Sequence, residues 1–306
     1  MTEQSRVQLE AAIAQLLGDV AEGDPTVEEQ RTGYNKFGDL MPLQDDAVAT
    51  QVSLGGVPTT IVDATGGTAT TTILYLHGGG YVIGSFRSHQ GFIGALSRLT
   101  GSKVAVAEYR LAPEHPFPAA VDDAVAAYQA LLADGVSPAD IIVSGDSAGG
   151  GLGVATLVAI RDQGLPRPAA GVFFSPWTDL SFTGETLVTN KDVDTMVAQP
   201  MITVMANRYI ADSDPKHPLL SPVYADLSGL PTMRLHVGSD EILLDDSRRI
   251  VQHATDAGVE CSIRIWPHML HVFPTYAPLL PPEHEAWEAL QDVADFTRNA
   301  FAQAKA

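Results

Sequence analysis

The chain has 306 residues, 45% of them hydrophobic, enough for one large core with insertions or for two ordinary domains. Its formal net charge of −19 sets most of the surface against a phosphate backbone or an anionic membrane, so nucleic acid is not an expected partner. No apolar run nears the roughly 20 residues that span a bilayer. Met1 to Val20 carries Glu3, Glu10 and Asp19 in place of a basic start and an apolar stretch, so a soluble, cytoplasmic protein without a membrane partner is expected. The single cysteine, Cys261, excludes an intrachain disulfide and reads as a buried, inert thiol.

In chain order, Leu9, Ile13, Leu16, Leu17 and Val20 form one helical stripe, which predicts an amphipathic helix over residues 5–20. Gly23-Asp24-Pro25 ends it; a weaker helix follows over 26–37, then a loop over 39–46. Ala49 to Leu54 and Val57 to Asp63 flank Gly55-Gly56 as a hairpin. Apolar strands then alternate with helices. The strands are expected at Ile73 to Leu76, Val104 to Ala107, Ile141 to Val143, Ala170 to Phe174, Met233 to Val237 and Cys261 to Trp266. The helices are expected at about 88–100, 118–133, 147–163, 244–257 and 284–303. This pattern predicts an α/β fold with a mostly parallel sheet covered on both faces and an antiparallel edge at the hairpin. The alternating last strand reads as the opposite edge, a candidate surface for a homodimer. The stretch between Phe174 and Met233 is too long for a simple crossover, and Met201, Ile202, Met205 and Tyr209 after Pro200 predict a cap helix within it.

The chemistry centres on Gly145-Asp146-Ser147-Ala148-Gly149. A G-x-S-x-G pattern between a β-branched run and a small-residue helix predicts a nucleophile elbow, with Ser147 exposed at a tight turn and at the positive end of a helix. Asp146 would support the elbow, the substrate pocket or simply the turn. After the first strand of the alternating part comes His77-Gly78-Gly79-Gly80-Tyr81, whose glycines let backbone N–H groups face a substrate. Gly78, Gly79, Gly80 and Ala148 are the candidate oxyanion donors, and which two glycines donate stays open. A dinucleotide site is a poor rival: Gly78-x-Gly80 lacks its third glycine, and Gly149-x-Gly151 lies inside a helix.

The general base must come from nine histidines; with His77 part of the glycine loop and the others in loops, beside prolines, inside a strand or on helices, His268 and His271, both just beyond the last strand, are left. The orienting acid should follow the preceding strand, because the order in such sheets is Ser, acid, His. Asp240 in Gly238-Ser239-Asp240-Glu241 is the expected acid, with Glu241, Asp245 and Asp246 as competitors.

Together, His77-Gly78-Gly79-Gly80, Tyr109-Arg110-Leu111-Ala112-Pro113-Glu114, Gly145-Asp146-Ser147-Ala148-Gly149-Gly150 and the Asp240 and His271 segments resemble the hormone-sensitive-lipase-like esterases. These are the bacterial type IV carboxylesterases of the α/β-hydrolase fold, and the resemblance covers about residues 70–275. It implies an eight-stranded core over 46–306, a cap built from residues 1–45 and an insertion at about 180–215, and catalysis by Ser147, Asp240 and His271. It also implies no cofactor and no metal. Val272 departs from the family pattern, which often has glycine between the catalytic histidine and phenylalanine. Trp266 to Phe273 is also similar to lactone hydrolases and small acetyl hydrolases of this family.

The expected function is therefore hydrolysis of a small-molecule ester or lactone through an acyl-enzyme. Phe182, Leu187, Met196, Met201, Met205 and Tyr209 make the insertion apolar and methionine-rich, a surface suited to varied short or medium acyl groups. Tyr81, Asp146, Met201 and Met205 are the candidate pocket residues. The rival readings are amide deacylation by the same site and, because the fold also carries receptors that have lost the histidine, a non-catalytic ligand receptor.

Overall fold

A computed structural model describes residues 6–8, 10–11 and 25–306. The stripe Leu9, Ile13, Leu16, Leu17 and Val20 lies outside the described residues. Helix α1, Val27–Leu40, starts on a capping box in which Thr26 and Glu29 satisfy each other's backbone N–H groups, at 3.3 and 2.8 Å. It runs past the expected end at residue 37.

Eight strands form one sheet in the order β1-β2-β4-β3-β5-β6-β7-β8. They are β1 Val48–Leu54, β2 Val57–Asp63, β3 Thr72–Leu76, β4 Lys103–Ala107, β5 Ile141–Asp146, β6 Ala170–Phe174, β7 Thr232–Gly238 and β8 Cys261–Trp266. β1 and β2 form the expected antiparallel hairpin, β2 also pairs antiparallel with β4, and the remaining neighbours are parallel. Every residue of β3, β5 and β6 is buried, which is why these strands read as unbroken apolar runs rather than as alternation. β1 is largely exposed, as an edge strand in water should be.

Helices α2 Phe86–Thr100 and α8 Glu285–Ala304 cover one face through Phe92, Ile93, Leu290 and Val293. α3 Ala119–Ala133, α4 Ser147–Asp162 and α7 Leu244–Asp256 cover the other through Tyr128, Leu152 and Ile250. Each such fully buried apolar side chain contributes about 1.5–3 kcal/mol against the ordering entropy of the chain. The β3-to-β4 crossover uses one face and the β4-to-β5 crossover the other. The carboxyl ends of β3 and β5 therefore meet at a topological switch point, where an open α/β sheet forms a crevice for a ligand. The insertion between β6 and β7 carries α5 Thr186–Thr189 and α6 Gln199–Ile210, close to the expected cap helix. Among the described residues, no helix is long and apolar enough to cross a membrane.

Candidate active site

β5 ends in a tight turn into α4. Ser147 takes a left-handed backbone conformation, φ 52°, and a Cβ on Gly149 would sit 2.0 Å from the carbonyl oxygen of Leu76, so only glycine lets helix and strand approach this closely. The turn aims the Ser147 hydroxyl at the crevice, where His271 Nε2 lies 2.9 Å from Oγ. His271 follows β8, as expected, and is itself buried. His268 is exposed instead, with its N–H donating to Ser239 Oγ at 2.8 Å.

The acid facing His271 differs from the expected one. His271 Nδ1 lies 2.8 Å from Glu241 Oε2, while Asp240 pairs with Arg6, and His268 Nδ1 is 4.0 Å from its carboxylate. The cause is local: β7 extends to Gly238, one residue beyond the expected end, and the following turn sends successive side chains to opposite sides. Glu241 is fully buried, and its other oxygen accepts from the Gly238 N–H and from Ser175 Oγ at 2.7 Å. Burial alone would lower the pKa of His271. The hydrogen bond and charge of Glu241, helped by Asp194 and Asp146, more than offset it, so the imidazole lies above the ordinary histidine value.

Ser175 was missing from the sequence reading. It follows β6 in a left-handed conformation, φ 44°, donates to Glu241 and accepts the Val272 N–H at 3.0 Å, so it fixes acid and histidine loop together. The signal for it was its place at a strand's carboxyl end, before Pro176 and Trp177. Val272 also has positive φ, 49°, at the position where the resembling family favours glycine. A β-branched residue there is strained, and such strain gathers at sites the surroundings over-determine.

The glycine loop is held from below by Asp146. Its carboxylate accepts from Gly78 N–H at 2.9 Å and from Tyr75 Oη at 2.6 Å, with His89 Nε2 3.4 Å away. Burial opposes its ionisation, but His89 and these donors keep its pKa below the ordinary value. Asp146 is thus a buried support of the loop rather than a pocket residue, and the Gly78 N–H is engaged by it rather than free for an oxyanion. The Tyr109 motif braces the same loop: Tyr109 Oη donates to His77 O at 2.6 Å, and Ala112 N–H to Tyr81 O at 2.9 Å. Arg31 of α1 ties Val82 O, Ala112 O and Glu114 together.

The insertion closes over the loop. A Cβ on Gly80 would lie 2.2 Å from Met205 Sδ, and Tyr81 stacks on Tyr209 with ring centroids 3.8 Å apart. Met205 and Tyr81 therefore lie beside the glycine loop. Met201 does not: it is 45% exposed on the outer face of α6, because its position on the helix turns it away from the packed residues Ile202, Ala206 and Tyr209. Among the described residues, no cluster of three or more metal-ligating side chains occurs.

A sequence profile described as the alpha/beta hydrolase fold matches residues 73–275. The chain is 46% identical to an acetyl-hydrolase of Streptomyces hygroscopicus over 229 residues, 75% of this chain and 76% of that protein. It is 37% identical to an esterase of Acinetobacter venetianus, covering 74% of this chain and 75% of the other. The crystal structure of an esterase from the bacterial hormone-sensitive lipase family superposes with a TM-score of 0.92 at 42% identity, covering 96% of this chain and 98% of that one.

Proposed function

This chain belongs to the α/β-hydrolase fold family, in its hormone-sensitive-lipase-like branch of carboxylesterases, and from that premise we propose that it hydrolyses esters of short to medium acyl groups through an acyl-enzyme on Ser147. The observation that carries this reading is the continuous relay from Ser147 Oγ to His271 Nε2 and from His271 Nδ1 to Glu241. His271 takes the hydroxyl proton as Ser147 attacks the ester carbonyl. Glu241 holds Nδ1–H in place and stabilises the imidazolium that forms. With Gly78 engaged by Asp146, the backbone N–H groups of Gly79, Gly80 and Ala148 are the donors for the developing oxyanion. Collapse releases the alcohol, which leaves with the proton from His271, and water repeats the sequence to free the acid.

Residues 1–45 and the insertion at about 180–215 act in this reading as a cap over the crevice. The contacts of Met205 with Gly80 and of Tyr209 with Tyr81 support a short acyl site, and the relative named an acetyl-hydrolase supports acetyl groups among its substrates. The β8 edge is the proposed surface of a homodimer, which sedimentation would report as twice 32.4 kDa.

The test is a panel of aryl esters of rising acyl length, with labelling by a fluorophosphonate followed by intact mass. One adduct is expected, absent from Ser147→Ala, together with turnover that falls for long chains. Labelling that persists in Ser147→Ala would remove the assignment.

A further inference from the structure

The turn that carries Glu241 has no regular structure of its own and is held from two sides. Towards His271, Ser239 N–H donates to Trp266 O at 2.9 Å and Asp240 N–H to Met269 O at 3.3 Å. From the insertion, Asn190 Nδ2 donates to Ser239 O at 3.0 Å and to Glu241 O at 2.9 Å. Asp194 Oδ2 accepts the Ile242 N–H at 2.8 Å, and Thr186 Oγ1 donates to Ile242 O and accepts from Asp245 N–H, each at 2.9 Å.

We propose that Asn190, seconded by Asp194 and Thr186, is a positioning residue that sets the Glu241 carboxylate against His271, so that the insertion governs the catalytic acid as well as covering the substrate. The proposal rests on the reading of Glu241 as the acid of the relay. Its physical basis is the placement of the two Asn190 bonds. They grip the carbonyls on either side of Asp240, and so fix the rotation of a turn in which one residue's shift would bring Asp240 inward and carry Glu241 out. Both amide hydrogens are used on this one task, which a Ser or Thr hydroxyl with its single proton could not perform. A displacement of about 1 Å at a catalytic group costs up to about 100-fold in rate. A seated insertion is then a condition of turnover, and any ligand that displaces it loosens Glu241 at the same time.

The charged groups facing His271 are Glu241 from this turn, Asp194 from the insertion and Asp146 from β5. Asn190→Ala changes none of those charges, so movement of the acidic limb of kcat/KM would report the Glu241–His271 contact itself. The experiment compares wild type, Asn190→Ala and Glu241→Gln on one aryl acetate across pH. For Asn190→Ala the expected result is a kcat lowered about 10- to 100-fold with KM little changed, and an acidic limb moved down towards the ordinary histidine value. A variant that loses only thermal stability, with kcat and limb unmoved while Glu241→Gln is crippled, would overturn the positioning role and leave the acid assignment standing. Full activity in Glu241→Gln would instead overturn the acid assignment and the proposal with it. Should Asn190→Ala fail to fold, the near-isosteric Thr186→Val is expected to show the same signature at smaller amplitude. An unmoved limb there would overturn the proposal equally.

Discussion

Beyond Gly238 the chain presents two carboxylates in succession, and the environment of each decides what it can do. Asp240 pairs with Arg6 and accepts from Ser239 Oγ at 2.7 Å, with no contact to His271. Glu241 is buried, accepts two donors and faces an imidazole. Glu241→Gln should therefore lower kcat by about 10³- to 10⁴-fold, since the amide no longer stabilises the imidazolium and favours the wrong tautomer. It should also move the acidic limb of kcat/KM down, because the largest contribution raising the His271 pKa is gone. Asp240→Asn should leave both nearly unchanged. Steady-state pH profiles of the two variants decide it, and the reverse ranking would return the role to Asp240. Ser147 was legible in sequence because a turn signal marks it directly, while the end of the last strand narrowed the base to His268 or His271 and the resemblance to esterases chose between them. The choice between 240 and 241 was not, since it hangs on whether β7 stops at Val237 or Gly238. Hydrogen bonds to Asn190, Trp266 and Met269, far away in sequence, settle that point.

The helices and strands were largely readable because the core strands are unbroken apolar runs and each helix has a packed stripe. What periodicity did not give was the docking of α6. Met201, Met205 and Tyr209 read as one methionine-rich surface, yet the helix puts Met205 on the glycine loop and turns Met201 to solvent. The contact of Met205 with Gly80 suggests which residue limits acyl length. Met205→Ala should open space beside the loop and raise turnover of hexanoyl relative to acetyl esters. It should cost about 2 kcal/mol in stability, the low end for a methionine truncation because this side chain is only partly buried. Met201→Ala should alter neither. Chain-length profiles of the two variants check this, and an unchanged profile in Met205→Ala would place the acyl site elsewhere.

The surplus of acidic residues over the whole surface separates loss of activity from loss of structure. As pH falls from 7, the charge of −19 shrinks and self-repulsion eases. Asp246, pushed up to about 7 by burial and by neighbouring Asp179, binds its proton more tightly folded than unfolded. Its contribution to stability is complete below the ordinary aspartate value and is lost as pH rises through 7. Asp179 and Asp292 act in the opposite sense. Burial opposes their ionisation, but Ser181, Thr183 and Arg249 hold the first at about 2, and His236 and Arg234 hold the second there. Their stabilisation is present above the ordinary aspartate value of about 3.9 and is lost only as pH falls towards 2. The buried imidazoles oppose this: burial lowers His77 to about 4 and lowers His236 as well, so their stabilisation is complete above the ordinary histidine value of about 6.5 and fades as pH falls below it. The fold is therefore expected to persist to roughly pH 5 and to weaken towards pH 4. In the proposed mechanism activity cannot follow it, because the base form of His271 disappears as pH falls through a value above its ordinary one of about 6.5. Between roughly pH 5 and 6 the enzyme should be folded and inactive, and return to pH 8 should restore full turnover. Near-UV circular dichroism and esterase assays on the same samples test this. Coincident loss of the two signals would mean that protonation of His271 is not what stops the enzyme.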